Sequence, residues 1–292
     1  MADHATPNPD RYFVPAPSAW PFALTVALVA ILGGVSSYLE DKHIGPLPIY
    51  AGGALLVYIL FRWFRGVALE SEGGFYGAQV DRTYRWSMAW FIFSEVMFFG
   101  AFFGALYYAR HLSLPWLGGE GSKVETNLQL WPGFENAWPT NGPAKLNGDF
   151  DTIPAFDVPF VNTLLLLTSG VTLTFAHHAL KAGKRTQTIL WMWATVALGC
   201  AFLFLQAEEY MHAYGDLNLK LASGIYGSTF FMLTGFHGMH VTLGTIMLLV
   251  ITLRLMSGHF KPDSHFGFEG VAWYWHFVDV VWIGLFIVVY WL

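Results

Sequence analysis

The segment 90–110 constrains the fold more than any other part of the chain. It reads WFIFSEVMFFGAFFGALYYAR, and about 20 consecutive apolar residues suffice for a helix to cross the hydrocarbon core of a bilayer. The one acidic group within it is Glu95. A carboxylate at membrane depth is costly unless it is protonated, paired or turned toward a polar cavity. We therefore expect Glu95 to face other protein, either as a buried, protonated group or as a functional one.

Composition agrees with a membrane location for the whole chain. Of its 292 residues, 55% are hydrophobic and only 12% are charged, whereas about 25% of residues are charged in soluble domains. The single cysteine, Cys200, lies inside an apolar run, which excludes a disulfide framework and a cysteine-based metal site. The chain is therefore predicted to be an integral membrane protein.

Six further apolar runs predict additional membrane crossings. They cover residues 20–38, 49–61, 160–176, 189–206, 224–253 and 271–292. A polar segment, 66–85, precedes the Glu95 helix, and a long polar connection, 112–157, follows it. With no internal repeat, the simplest architecture is all-α: one membrane domain over 1–292, with helices one and two at about 20–65 and helices three to seven at about 86–292.

Lysine and arginine counts in alternate connections predict the orientation, because cytoplasmic connections carry the excess of basic residues. One side receives ten: Arg11, Arg62, Arg65, Arg82, Arg85, Lys181, Lys184, Arg185, Arg254 and Lys261. The other side receives five: Lys42, Arg110, Lys123, Lys145 and Lys220. This bias places the N-terminus inside, and the C-terminus and the acidic connection 112–157 outside.

Several histidine spacings leave a metal site open. Glu209 and His212, just beyond the apolar run 189–206, form a Glu-x-x-His step, which di-iron bundles use in pairs, and none of the apolar runs contains a second one. A haem held by two histidines is possible with His237 or His240 and His276. Imidazoles in membrane bundles more commonly hydrogen-bond to neighbouring helices. The alternative is a stand-alone metalloenzyme or transporter built around these side chains: Glu95, Glu209, His212, His237, His240 and His276.

Polar groups also gather on the predicted inner side. Carboxylates and imidazoles together can collect and pass protons, although composition alone favours an ordinary solvated face of loops. The candidates are Glu70, Glu72, Asp81, His259, Asp263, His265 and Glu269. Inner-side arginines suit lipid phosphates, which arginine binds bidentately, or serve only as topological signals.

Long segments carry a resemblance to a known family. They are 90–103, 161–180 (VNTLLLLTSGVTLTFAHHAL), 205–210 (LQAEEY), 224–240 (GIYGSTFFMLTGFHGMH) and 265–282 (HFGFEGVAWYWHFVDVVW), with a shorter match at 17–21 (PSAWP). On these segments the chain resembles subunit III of cytochrome c oxidase, in the haem–copper oxidase complex, and in particular a bacterial member. The segment 69–85 departs from the family's usual pattern, and the connection 112–157 is longer than in mitochondrial members.

The resemblance implies a fold and a role. Subunit III has seven transmembrane helices in a two-helix plus five-helix arrangement with a lipid-filled cleft. It holds no haem or copper, which belong to subunits I and II, and has no catalytic or metal-binding residues. It packs mainly on subunit I, with subunit II in the same complex, and binds structural phospholipids rather than nucleic acid. It supports proton uptake and protects the oxidase during turnover. The implied location is the bacterial inner membrane, with a cytoplasmic N-terminus and a periplasmic C-terminus.

The resemblance also suggests roles for particular residues. Glu95 matches the family's buried glutamate on the third helix, and His240 matches its partner on the sixth. Other polar side chains expected to be buried are His237, Glu208, Glu209, His212, His276 and Asp279. Apart from the resemblance, arginine chemistry and position at helix ends make Arg62, Arg65 and Arg254 candidates for lipid head groups, together with Trp63. Inner-surface candidates for proton collection are Glu70, His259, Asp263 and His265. Whether the oxidase takes electrons from cytochrome c or from quinol is left open.

Overall fold

A computed structural model describes residues 12–40 and 46–292. Within them, seven helices are long and apolar enough to cross a membrane. In chain order they are α1 (Trp20–Leu39), α2 (Pro46–Glu72), α3 (Ala78–Tyr108), α4 (Val158–Lys181), α5 (Arg185–Gly215), α6 (Gly224–Ser257) and α7 (Phe266–Leu285). The N-terminal segment, for which a location was predicted, lies outside the described residues, as do Arg11 and Lys42.

The chain divides into two compact units, the first ending at Trp86 and the second covering Ser87–Leu292. In the first unit, α1 packs along α2. Gly52 makes their close approach possible, since a Cβ there would lie 2.8 Å from the carbonyl oxygen of Ala27. Most large apolar side chains of both helices are exposed. This exposure suits lipid or partner protein rather than water.

The second unit is built on four successive helices. α4 packs along α5, α5 along α6, α6 along α7, and α7 returns to α4. The part of α3 from Ser87 onward lies against α6 and α7 through aromatic pairs. Phe98 meets Phe236 with ring centroids 4.9 Å apart, and Phe99 meets Phe277 at 6.1 Å. This packing brings Glu95 to the side chains of α6.

Small residues allow the helices of the second unit to pack closely around Trp275. Its ring is fully buried. A Cβ at Gly199 on α5 or at Gly244 on α6 would lie 2.9 Å or 2.8 Å from ring atoms of Trp275. Lipid chains are as apolar as the side chains, so close van der Waals packing replaces the hydrophobic effect as the force between helices. The two glycines therefore create the space that the indole ring fills.

The end of α6 is fixed by backbone geometry and charge. Gly258 ends the helix in a left-handed conformation, with φ at 88°, which glycine adopts without steric cost. Arg185 then donates hydrogen bonds to the carbonyl oxygens of Leu255 and Met256, at 2.7 and 2.9 Å. A cation at this end also complements the helix dipole.

The long connection 112–157 is partly helical and packs on its own chain. α3 continues through Ala109–Ser113 and Leu114–Leu117, and a short helix covers Val124–Leu130. Further along, Phe150 stacks on Tyr226, near the start of α6, with ring centroids 5.4 Å apart. The amide of Asp151 donates to the carbonyl of Leu217 at 3.0 Å. The connection therefore covers one end of the second unit.

Several helices extend well beyond the apolar runs that predict them. Most of the polar segment 66–85 is helical, because α2 continues to Glu72 and α3 begins at Ala78. Similarly, α5 continues past Glu208 and Glu209 to Gly215. Hydropathy detects the part of a helix that suits lipid, whereas glutamate, arginine and alanine continue a helix readily in a polar environment. The predicted boundaries are therefore too narrow.

Candidate functional site

The structure brings Glu95 and His240 together inside the second unit. His240 Nε2 lies 2.9 Å from Glu95 Oε2. The side chain of His240 is 7% exposed and that of Glu95 is 22% exposed. Aromatic rings surround the imidazole, with Phe99 at 5.0 Å and Tyr274 stacked at 6.3 Å between centroids. The contact joins α3 to α6 where few other polar groups compete.

The contact of the other ring nitrogen of His240, Nδ1, indicates which atoms of the Glu95–His240 pair carry hydrogens. His240 Nδ1 lies 2.7 Å from the backbone carbonyl of Phe236, and a carbonyl can only accept, so Nδ1 carries a hydrogen and donates it. A neutral His240 therefore presents a lone pair at Nε2, and a protonated Glu95 donates to it. If the proton moves across, the same contact becomes a carboxylate–imidazolium pair. In both cases one proton lies between the two atoms.

The other intramembrane histidines have separate partners. His237 is fully buried, and its Nε2 donates to the carbonyl of Val278 at 3.2 Å, which ties α6 to α7. His276 is 45% exposed in its side chain and lies 3.5 Å from the buried carboxylate of Asp279 on its own helix. The other ring nitrogen of His237, Nδ1, is buried and has no hydrogen-bond partner among the described residues.

Glu209 belongs to a buried cluster that does not include His212. Tyr290 donates to Glu209 Oε1 at 2.6 Å, and Gln206 donates to the same oxygen at 3.1 Å. His212 instead pairs with Asp216 at 2.7 Å, and both side chains are more than half exposed. Glu208 is exposed as well. The expectation that Glu208 and His212 are buried is therefore wrong for this chain, because successive helix positions point about 100° apart and only Glu209 faces the bundle.

The inner-side residues that are candidates for proton collection lie in different surroundings. In the first unit, Tyr76 donates to Glu70 at 2.8 Å, and burial, together with hydrogen bonds to Tyr84 and Glu70, raises the pKa of Tyr76 above its usual value. In the second unit, His259 and Asp263 are exposed. His265 is largely buried at the start of α7, with its Nε2 3.2 Å from Glu269.

The arginine candidates for lipid head groups also differ from one another. Arg62 and Arg65 are exposed on α2 and line a shallow groove with Gly66 and Leu69. Trp63 is half-buried beside them. The guanidinium of Arg254 lies over the ring of Phe260, 4.7 Å from its centroid, so Arg254 has a cation–π contact within its own chain.

Comparison with known proteins identifies the family. The model of the family described as cytochrome c oxidase subunit III matches residues 10–292. Among curated relatives, cytochrome c oxidase subunit 3 of the salmon Oncorhynchus masou is 39% identical over 281 residues, which is 96% of each chain. The protein of the same name from Hippopotamus amphibius is 40% identical over 284 residues, again 96% of each. The chain belongs to the cytochrome c oxidase subunit III family. It is therefore a membrane-embedded subunit of an oxidase complex.

Subunit III membership matches the resemblance seen in the sequence, while the bacterial origin stays a prediction, since these relatives come from vertebrates. The structure adds polar contacts that sequence reasoning missed. Trp275 donates to Ser169 and Trp282 donates to Thr163, each at 2.9 Å, and both bonds join α7 to α4. Tyr290 was missed as the partner of Glu209. Buried indole and phenol groups usually find a hydrogen-bond partner, and this rule was the available signal.

Proposed function

We propose that this chain is a non-catalytic accessory subunit of a proton-pumping terminal respiratory oxidase. It packs on subunit I, with subunit II in the same complex, and leaves haem and copper to those partners. Its work is to hold lipids, to support proton uptake into subunit I and to protect the oxidase during turnover. The observation that carries the proposal is the family match over residues 10–292.

The polar contacts in the second unit support a scaffold role. Glu95, Glu209 and His237 are each held by a partner on another part of the bundle. In a lipid environment such contacts fix one helix against the next, since an unpartnered polar group there is costly.

We infer lipid and proton roles for the two groups of inner-side candidates. The exposed arginines Arg62 and Arg65 suit phosphate head groups, with Trp63 beside the acyl chains and Arg254 as a further candidate. By the family resemblance, these lipids occupy the region between the first two helices and the remaining five. His259, Asp263, Glu70 and His265 are the proposed proton-collecting groups. These assignments rest on charge and residue chemistry.

We further propose that the chain lies in a bacterial inner membrane, with its N-terminus in the cytoplasm and its C-terminus in the periplasm. The basic-residue bias across the predicted connections supports this orientation. The long connection 112–157 then faces the periplasm. It is exposed over much of its surface and is available for contacts with other subunits.

The test compares the oxidase complex with and without this chain. The complex lacking it should reduce oxygen at a near-normal initial rate, because the redox centres lie elsewhere. It should then lose activity within far fewer turnovers and take up protons more slowly, because the proposed proton-collecting groups are missing. Oxygen consumption and proton uptake, followed over time, measure both effects, and adding back the purified chain with phospholipid is the control. An abolished initial rate, with haem and copper still present, would contradict the non-catalytic assignment.

A further inference from the structure

Three potential metal ligands converge where α4 ends and α7 begins. His177 is four residues before the end of α4 at Lys181, His265 immediately precedes α7, and Glu269 is in the first turn of α7. One donor atom from each lies within 4.8 Å of the other two. Neither the helix-locking contacts nor the proposed scaffold role accounts for this cluster.

The distances between these donor atoms form a nearly regular triangle. His177 Nε2 lies 3.3 Å from His265 Nε2 and 3.5 Å from Glu269 Oε1, and His265 Nε2 lies 3.2 Å from Glu269 Oε1. Zinc binds histidine nitrogen and carboxylate oxygen at about 2.0–2.2 Å with tetrahedral geometry. In a tetrahedron with such bonds, neighbouring ligands are about 3.3–3.6 Å apart. The three donors thus occupy one face of a zinc coordination tetrahedron.

The hydrogen bonding of His265 prepares its inner nitrogen to act as a ligand. Its Nδ1 lies 3.1 Å from the carbonyl oxygen of Lys261, so Nδ1 carries the hydrogen and a neutral ring has its lone pair at Nε2. That lone pair faces the carboxylate oxygen of Glu269, which is also an electron-pair donor. A cation between them turns this repulsion into attraction. A proton does so between two atoms, as in the Glu95–His240 pair, whereas a metal ion also uses the third donor, His177 Nε2. An N–H bonded to a carbonyl on the far side of the ring is the usual outer partner of a metal-binding histidine.

Burial distinguishes a protected side of the site from an open one. The side chains of His265 and Glu269 are 7% and 10% exposed, whereas that of His177 is 25% exposed. We propose that His177, His265 and Glu269 form a binding site for Zn²⁺, with water as the fourth ligand on the side of His177. The ion joins the end of α4 to the start of α7. The scaffold and lipid roles proposed above do not depend on this site, whereas His265, once bound to zinc, no longer serves as a proton-collecting group.

The test measures zinc binding by the full chain purified in detergent. Equilibrium dialysis should find one high-affinity Zn²⁺ per chain, and Co²⁺ in its place should give the visible bands of a tetrahedral nitrogen–oxygen site. Each of His177→Gln, His265→Gln and Glu269→Gln should weaken binding by at least a hundredfold, since loss of an outer partner alone costs about 10–100-fold. Zinc should also raise the melting temperature of the wild-type chain, because a ligand that binds only the folded state stabilises it.

His178→Gln provides the matched control. It makes the same change at the next position of α4, where the side chain is exposed, and it should leave zinc affinity and the melting shift unchanged. The proposal fails if the wild-type chain takes up no zinc, if the three variants bind as tightly as the wild type, or if His178→Gln weakens binding equally. Metal analysis of the assembled oxidase carrying Glu269→Gln, compared with wild type, should show one zinc fewer per complex. An equal zinc content would also contradict it.

Discussion

Glu95 and His240 illustrate how a single polar contact acts inside a membrane bundle. The 2.9 Å contact joins α3 to α6, and the bond from His240 Nδ1 to Phe236 fixes the ring orientation. Measured interhelical hydrogen bonds in a membrane protein average about 0.6 kcal/mol and reach about 1.7 kcal/mol. The value of the pair therefore lies mainly in selecting which faces of α3 and α6 meet, because the alternative leaves two polar groups in an apolar setting.

Glu95→Gln should preserve both assembly and oxygen reduction. A glutamine amide can still donate to His240 Nε2, so the free energy of unfolding should change by less than about 0.5 kcal/mol. Glu95→Ala leaves the imidazole unpaired and should cost about 1–2 kcal/mol. Thermal unfolding in detergent and steady-state oxygen consumption by the whole complex are the measurements. Near-total loss of activity in Glu95→Gln, with the subunit still bound, would show that the carboxylate takes part in the chemistry.

Tyr290→Phe should destabilise the second unit by about 0.5–1.5 kcal/mol, the net worth of one hydrogen bond, because Glu209 Oε1 then keeps only the donor from Gln206. The phenol donates to Glu209 Oε1 at 2.6 Å, and the ring is buried against Phe230. Tyr107→Phe makes the same change on a ring that is 62% exposed, and it should be neutral. Chemical unfolding of the two variants under identical conditions compares them. Equal stability would mean that the Glu209 cluster contributes nothing.

At the scale of the helices, packing depends on where small residues permit close approach. Gly52 serves the α1–α2 pair, and Gly199 and Gly244 surround Trp275 in the second unit. The same helices carry glycines with open space around them. Whether a glycine in a transmembrane helix serves close packing can therefore be judged only when its neighbour across the helix interface is known.

Gly244→Ala should disturb the packing of α6 on α7. The added methyl group would lie 2.8 Å from Trp275 Cε3, and overpacking of this kind costs about 1–3 kcal/mol. Gly238→Ala is the matched control on the same helix, since nothing lies within 4 Å of a Cβ there. It should be neutral or slightly stabilising, because alanine is the better helix former. The melting temperatures of the two purified variants give the comparison, and a larger drop for Gly238→Ala would refute the packing argument.

At the scale of the whole molecule, apolar length allows the seven helices to span a membrane, and we expect the distribution of basic residues to set the orientation of the chain. The seven spanning helices carry their basic residues mainly at ends that share one predicted side. The connection 112–157 faces the opposite side in this arrangement. Its packing on Leu217 and Tyr226 keeps it against the second unit rather than extended from it.

Site-directed labelling tests this orientation. In a Cys200→Ser background, Glu135→Cys in the long connection should react with a membrane-impermeant thiol reagent from the periplasmic side of intact cells. Lys184→Cys, between α4 and α5, should react only after the membrane is opened. Both native side chains are exposed, so accessibility within the chain does not separate them. The reverse pattern would overturn the proposed topology.

The sequence by itself determined the membrane class, the number of crossings and the family, because these depend on composition, on apolar length and on extended motif matches. It also singled out Glu95, since an acid in an apolar run is conspicuous without any structure. The helix ends were predicted too narrowly, because a helix continues beyond the stretch that lipid requires, as α2 and α5 do. The burial of individual polar side chains was misjudged where adjacent residues point in different directions. Glu208, for example, is exposed although its neighbour Glu209 is buried.

Apart from the Glu95–His240 pair, which the family resemblance predicted, only the tertiary structure decided the partners of the buried polar groups. Trp275 and Ser169 are 106 positions apart in the chain, and His177 and His265 are 88 positions apart. No local periodicity encodes such separations. In the bilayer the hydrophobic effect does not favour one helix face over another. Small residues, the shapes of aromatic rings and a few hydrogen bonds together determine which faces pack against each other. Those terms exist only once the helices are side by side, and for that reason the cluster of His177, His265 and Glu269 became visible only in the fold.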